Sequence, residues 1–189
     1  FSRGWILQSY LRQKTGKRYL PKKRQYARYF KFTFVRNPWA RLHSLYWNLM
    51  QPRNRALYGL EDDFEFQDFI KGGMLTEQKR VQCYWAGSAR QGRRRRSFGW
   101  YHPALPQAHW LYDWRGSLPF DFIGRFENLH EDWEKVCDEL SIEDRQLDHF
   151  MKASPDNQHY TEAYDDECRR IVAQHEARVI DAFNYRFGD

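Results

Sequence analysis

The chain has 189 residues, 30 % of them charged and 18 % aromatic, with a net charge of +6 and a pI near 9.2. That length suits one domain with a real core, and no apolar run approaches the roughly 20 residues of a membrane helix. Three cysteines (Cys83, Cys137, Cys168) without a Cys-x-x-Cys pair exclude a disulfide framework and a structural zinc site, while the basic excess points to an anionic partner.

Taken in chain order, Trp5, Ile6, Tyr10 and Leu11 predict a helix to about Lys14, followed by a basic connector, Lys22-Lys23-Arg24. Lys31–Val35 alternates and is rich in β-formers, which predicts a strand. Asn37 as cap and Pro38 at the first helical position then open a helix over 38–50, with Leu42, Leu45, Tyr46 and Leu49 at helical spacing. Gln51–Leu60 reads as loop and Phe64–Ile70 as a short helix ending at Gly72-Gly73. Residues 86–108 read as a long irregular surface insertion, and Gln107–Leu111 as a helix start that turns at Gly116. Phe120–Ile123 is a second strand closed by Gly124. Leu129–Leu140 is an amphipathic helix with Trp133, Val136, Cys137 and Leu140 inward. Asp144–Lys152 is a short element of unclear type, and Tyr160–Phe183 reads as the longest helix. Strands alternating with helices predict one α/β domain over 1–189, a parallel sheet flanked by helices.

In open α/β sheets ligands bind beyond the carboxyl ends of strands, and a helix starting there offers free N–H groups to an anion. Arg36 stands at such a junction. Its guanidinium can grip a phosphate with two parallel bonds. Ser44 follows eight residues later, and Arg41 lies three residues before it, on the same helix face. The alternative is an arginine paired with a carboxylate beside an incidental serine.

The segment FTFVRNPWARLHSLY resembles the 3'-phosphate-binding segment of the sulfotransferase superfamily, in which an arginine ends a strand and a serine follows eight residues on. DFIGRFENLHEDWEKVCDELSI (Asp121–Ile142) and HYTEAYDDECRRIVAQHEARVIDAFNYRF (His159–Phe187) are similar, in order, to later segments of its carbohydrate-type branch, sulfotransferase family 2. The resemblance implies a P-loop NTPase-like sulfotransferase fold. It implies an enzyme that transfers a sulfuryl group from 3'-phosphoadenosine 5'-phosphosulfate to a hydroxyl, without a metal. Arg36 and Ser44 match the positions that hold the 3'-phosphate. Phe126 matches an aromatic position near the adenine, and Lys152 a position from which a basic residue approaches the donor phosphates.

The family also carries a Lys/Thr-rich loop for the 5'-phosphosulfate. QKTGKRY (Gln13–Tyr19) imitates it but follows a helical pattern and lies too close to Arg36, so the working loop is expected upstream of Phe1. The chain is accordingly read as incomplete at its N-terminus. A catalytic base needs hydrogen-bond reach of the acceptor hydroxyl. His43, His102 and His109 are the candidates. Arg93, Arg94, Arg95 and Arg96 with Trp100 form a basic, aromatic stretch that suits an acidic glycan acceptor. Nucleic acid is the less favoured partner. The rival reading is an inactive polyanion- or nucleic-acid-binding module on the same scaffold. A nucleotide kinase is disfavoured, because no Gly-Lys-Ser/Thr motif occurs. The expected location is the cytoplasm, or the Golgi lumen if an anchor precedes Phe1.

Overall fold

A computed structural model describes residues 27–72, 104–147 and 159–189. The helix over 3–14, the Gln13–Tyr19 segment, the Lys22–Arg24 connector, Cys83, Arg93–Arg96, Trp100, His102 and Lys152 lie outside the described residues. In chain order the elements are β1 (Phe32–Val35), α1 (Pro38–Met50), α2 (Pro52–Tyr58), α3 (Phe66–Lys71), α4 (Ala108–Leu111), β2 (Phe122–Arg125), α5 (Leu129–Leu140), α6 (Asp166–His175) and α7 (Ala177–Phe183). Single 3₁₀ turns occupy Phe126–Asn128 and Tyr160–Ala163. The chain divides into two compact units, one of Phe1–Val35 and Trp110–Arg145, the other of Arg36–His109 and Gln146–Asp189.

In the first unit β1 and β2 pair in parallel, from Phe32↔Phe122 to Val35↔Arg125. The parallel direction agrees with the expected sheet and needs a long crossover, since a tight turn can join only antiparallel strands. The start of the pair is tied by Asp121, whose carboxylate accepts from the Lys31 backbone N–H at 2.8 Å and pairs with the Lys31 ammonium. Helix α5 flanks the sheet: Val136 and Cys137 are buried, and the Trp133 ring lies 6.1 Å from that of Phe32. Asp132 anchors the helix to the end of β2 by accepting from the Arg125 N–H at 2.7 Å. Leu140, expected inward, is 40 % exposed. A 12-residue helix runs about 18 Å and outreaches a four-residue strand of about 13 Å, so its last turn overhangs the sheet.

Gly124 does not close β2 as expected but sits inside it, opposite Phe34. A Cβ there would stand 2.5 Å from the Phe34 ring and 3.1 Å from the Asp132 Cβ, so the ring and the helix both close down on a bare backbone. Gly124→Ala is expected to destabilise the protein by about 1–3 kcal/mol, the range for overpacking. Urea unfolding measures this, and an unchanged midpoint would show that the ring swings aside freely.

In the second unit α1 begins as expected. Pro38 occupies its first turn, and the Asn37 side chain accepts from the Trp39 and Ala40 N–H groups. Leu42, Leu45, Tyr46 and Leu49 are buried along one face. Aromatic rings bind this face to its neighbours: Phe66 meets Tyr46 at 5.4 Å and Tyr164 at 4.8 Å. The Tyr164 hydroxyl donates to the Trp39 carbonyl at 2.9 Å. Residues 52–58 form a helix where a loop was expected. Pro52 starts it and Gly59, at φ 59°, ends it in the left-handed region. That Pro-first, Gly-last signature was present in a stretch without apolar periodicity.

The terminal segment is not one helix. Asp165 interrupts it by turning its carboxylate onto the Cys168 N–H at 2.7 Å, a cap that competes with helix continuation. The second break falls at Glu176 (φ −109°, ψ 11°), between α6 and α7. Cys137 and Cys168 are buried and free, and burial together with the Asp165 hydrogen bond pushes the Cys168 thiol up to about 12.

Candidate functional site

Arg36 lies in the two-residue gap between β1 and α1, half-buried. It lies outside both elements, and the Gln107 side chain holds its peptide. The Arg36 N–H donates to Gln107 Oε1 at 3.1 Å, and Gln107 Nε2 donates back to the Arg36 carbonyl at 2.8 Å. Gln107 is fixed in turn, because its own N–H donates to Glu176 Oε2 at 3.0 Å. The other Glu176 oxygen takes the Arg41 guanidinium, which also donates to the Leu105 carbonyl at 3.2 Å.

This network redefines two expectations. Arg41, expected beside Ser44 at the ligand, instead points its Nη2 at the buried Glu176 carboxylate. Glu176 is 1 % exposed, and burial pulls Arg41 below its ordinary pKa while Glu176 opposes that pull. A carboxylate buried this deeply needs a charged partner, because left alone it would be an uncompensated buried charge. The helix N-terminus, expected to offer free N–H groups, has them spent: Asn37 Oδ1 accepts from Trp39 N at 3.1 Å and Ala40 N at 3.3 Å. Pro38 has none to give. An anion at this corner is therefore met by side chains.

Two groups are suited to meet it. Arg36 brings its guanidinium. Ser44 lies on the half-exposed side of α1, and its hydroxyl takes no hydrogen bond from the described residues. His43, between them in electrostatic range of Arg36, is buried on the opposite face. Burial first, then the positive charges of Arg36 and His159, hold it below its ordinary pKa. Its Nε2 accepts from Trp47 Nε1 at 3.1 Å, which places its proton on Nδ1. With that lone pair engaged, His43 has none free to take a proton from an acceptor hydroxyl.

Phe126 occupies the 3₁₀ turn after β2 and is 45 % exposed, so it is not a core residue. His109 is exposed on α4. Among the described residues no cluster of three or more His, Cys, Asp or Glu could hold a metal, and no helix is long and apolar enough to cross a membrane. Gln107 carried no sequence signal. Glu176 did: it falls between Val172 and Val179 at helical spacing, a carboxylate in an apolar stripe.

A family model described as the sulfotransferase family matches residues 7–185, nearly the whole chain. The chain belongs to the sulfotransferase family. No curated protein and no solved structure gives a significant match. Membership supports sulfuryl transfer in general, with a sulfate donor and a hydroxyl-bearing acceptor. In this sulfotransferase-family chain the strand-exit arginine is thus held by a side-chain amide and backed by a buried ion pair.

Proposed function

We propose that this chain carries a sulfotransferase that takes its sulfuryl group from 3'-phosphoadenosine 5'-phosphosulfate and delivers it to a carbohydrate hydroxyl, in one domain. The observation that supports this reading is the Arg36 corner. Arg36 follows β1 with its backbone clamped by Gln107, and a serine hydroxyl without a partner among the described residues comes eight residues later, on the half-exposed side of α1. Such donors fit a phosphate monoester, which is acceptor-only and best met by charge-assisted bonds. The donor, when bound, supplies the group to be transferred. Arg36 would hold its 3'-phosphate, with Ser44 adding a neutral hydrogen bond. The adenine role of Phe126 rests on its position in the sequence alone. Arg41 works behind the site, through Glu176, rather than on the ligand. The acidic-glycan acceptor rests on Arg93–Arg96 and Trp100, and the donor contact of Lys152 on its sequence position alone.

With the helix N–H groups already capped, Arg36 carries most of the corner's affinity. Arg36→Ala is expected to weaken binding of adenosine 3',5'-bisphosphate by tenfold or more, since a charged hydrogen bond is worth about 1.5–3 kcal/mol and tenfold is about 1.4. Calorimetry decides: unchanged binding removes the phosphate assignment. Heparin binding that weakens with salt, without any nucleotide binding, would instead identify a polyanion-binding module.

A further inference from the structure

Both backbone groups of Arg36 are bonded to a single side chain. Its N–H and its carbonyl are received by the two ends of one amide, at 3.1 and 2.8 Å, from a residue 71 positions away. That pairing fixes the peptides on either side of the Arg36 Cα, and hence the direction in which its side chain leaves. The amide is itself oriented without ambiguity. An N–H must face its oxygen and a carbonyl its NH₂, so a flipped Gln107 would lose both bonds. Gln107 is 3 % exposed, and its backbone is held by Glu176, which Arg41 holds in turn.

We infer that Gln107 is a positioning residue for the nucleotide site: it sets the Arg36 guanidinium for the donor's 3'-phosphate without touching the donor. This rests on the proposed phosphate role of Arg36. A two-pronged guanidinium–phosphate contact is sensitive to placement, and displacement by 1 Å can remove most of its advantage.

The test compares two ligands on the full chain, adenosine 3',5'-bisphosphate and adenosine 5'-phosphate, which lacks the 3'-group. Gln107→Met keeps the length and volume of the side chain and removes both bonds. It is expected to weaken the bisphosphate by about fivefold to tenfold and to leave the 5'-monophosphate unchanged. Gln107→Asn, whose shorter amide falls short of Arg36, should show the same selectivity and serves if the Met variant does not fold. In an Arg36→Ala background Gln107→Met should cost the bisphosphate nothing further, because the two residues act on one contact. Equal loss for both ligands, or additive losses in the double variant, would show a merely structural role and overturn the inference while leaving Arg36 in place. Unchanged bisphosphate binding in Arg36→Ala alone would overturn both.

Discussion

Glu176→Ala is expected to lower stability by about 3–5 kcal/mol, the cost of breaking a buried ion pair from one side. Several features put this substitution at the high end. The carboxylate is 1 % exposed and the Arg41 side chain 14 %, so neither charge can turn to water. The same carboxylate receives the Gln107 N–H, which would lose its acceptor as well. For a chain of this length each kcal/mol corresponds to about 2–4 °C, so thermal unfolding should shift down by roughly 10 °C or more. A second variant separates the ion pair from its burial. Arg41→Met combined with Glu176→Leu removes both charges and fills their space, and should recover much of the loss, since a buried pair often adds little over apolar residues of its size. A midpoint unchanged in Glu176→Ala would mean that water reaches Arg41. No recovery in the double variant would mean that the backbone bonds to Leu105 and Gln107, rather than the charges, hold the region.

Asn37→Ala carries the next largest expected effect, about 2–4 kcal/mol. Asn37 is fully buried and works in two directions. Its oxygen caps α1 through Trp39 and Ala40, a role worth about 1–2 kcal/mol. Its NH₂ donates to the Arg186 carbonyl at 2.8 Å, and loss of that part-buried bond costs about 1–2 kcal/mol more. Asn37→Ser divides the two: the hydroxyl can still cap, but it is too short to reach Arg186. Chemical unfolding of both variants should place Ser about midway between wild type and Ala. Ser as unstable as Ala would assign the whole effect to the Arg186 bond.

The elements that could be read from sequence were those whose signals are local. Asn37-Pro38 and the spacing of Leu42, Leu45 and Leu49 located α1, and the apolar stripe through Val136 and Cys137 located α5. What escaped was decided by distant partners. The terminal helix breaks at Glu176 because its side chain serves Arg41 and Gln107, 135 and 69 residues away. Gly124 looked like a strand terminator; only Phe34, across the sheet, explains why it sits within one. The site follows the same division. The pattern of strand, Arg36, Asn-Pro and Ser44 was visible. That Asn37 consumes the helix N–H groups could have been foreseen, because a cap and an open anion cradle compete for the same donors. That Gln107 aims Arg36 could not, because a glutamine in an irregular stretch has no period and no fixed offset from its partner.

The β1–β2 register also governs how the chain reaches its folded state. Partners such as Lys31 and Asp121 are 90 residues apart, so the entropy of closing a long loop is lost before a single ladder bond forms. During synthesis Phe32, Phe34 and Val35 emerge well before their described partner, Phe122–Arg125, has been made. Until then β1 lacks the one strand partner it has among the described residues, and an apolar segment with open backbone is the kind of edge on which nascent chains associate. Parallel pairing at such separation folds slowly. The strand that leads into Arg36 is therefore expected to order later than the locally encoded helices among the described elements.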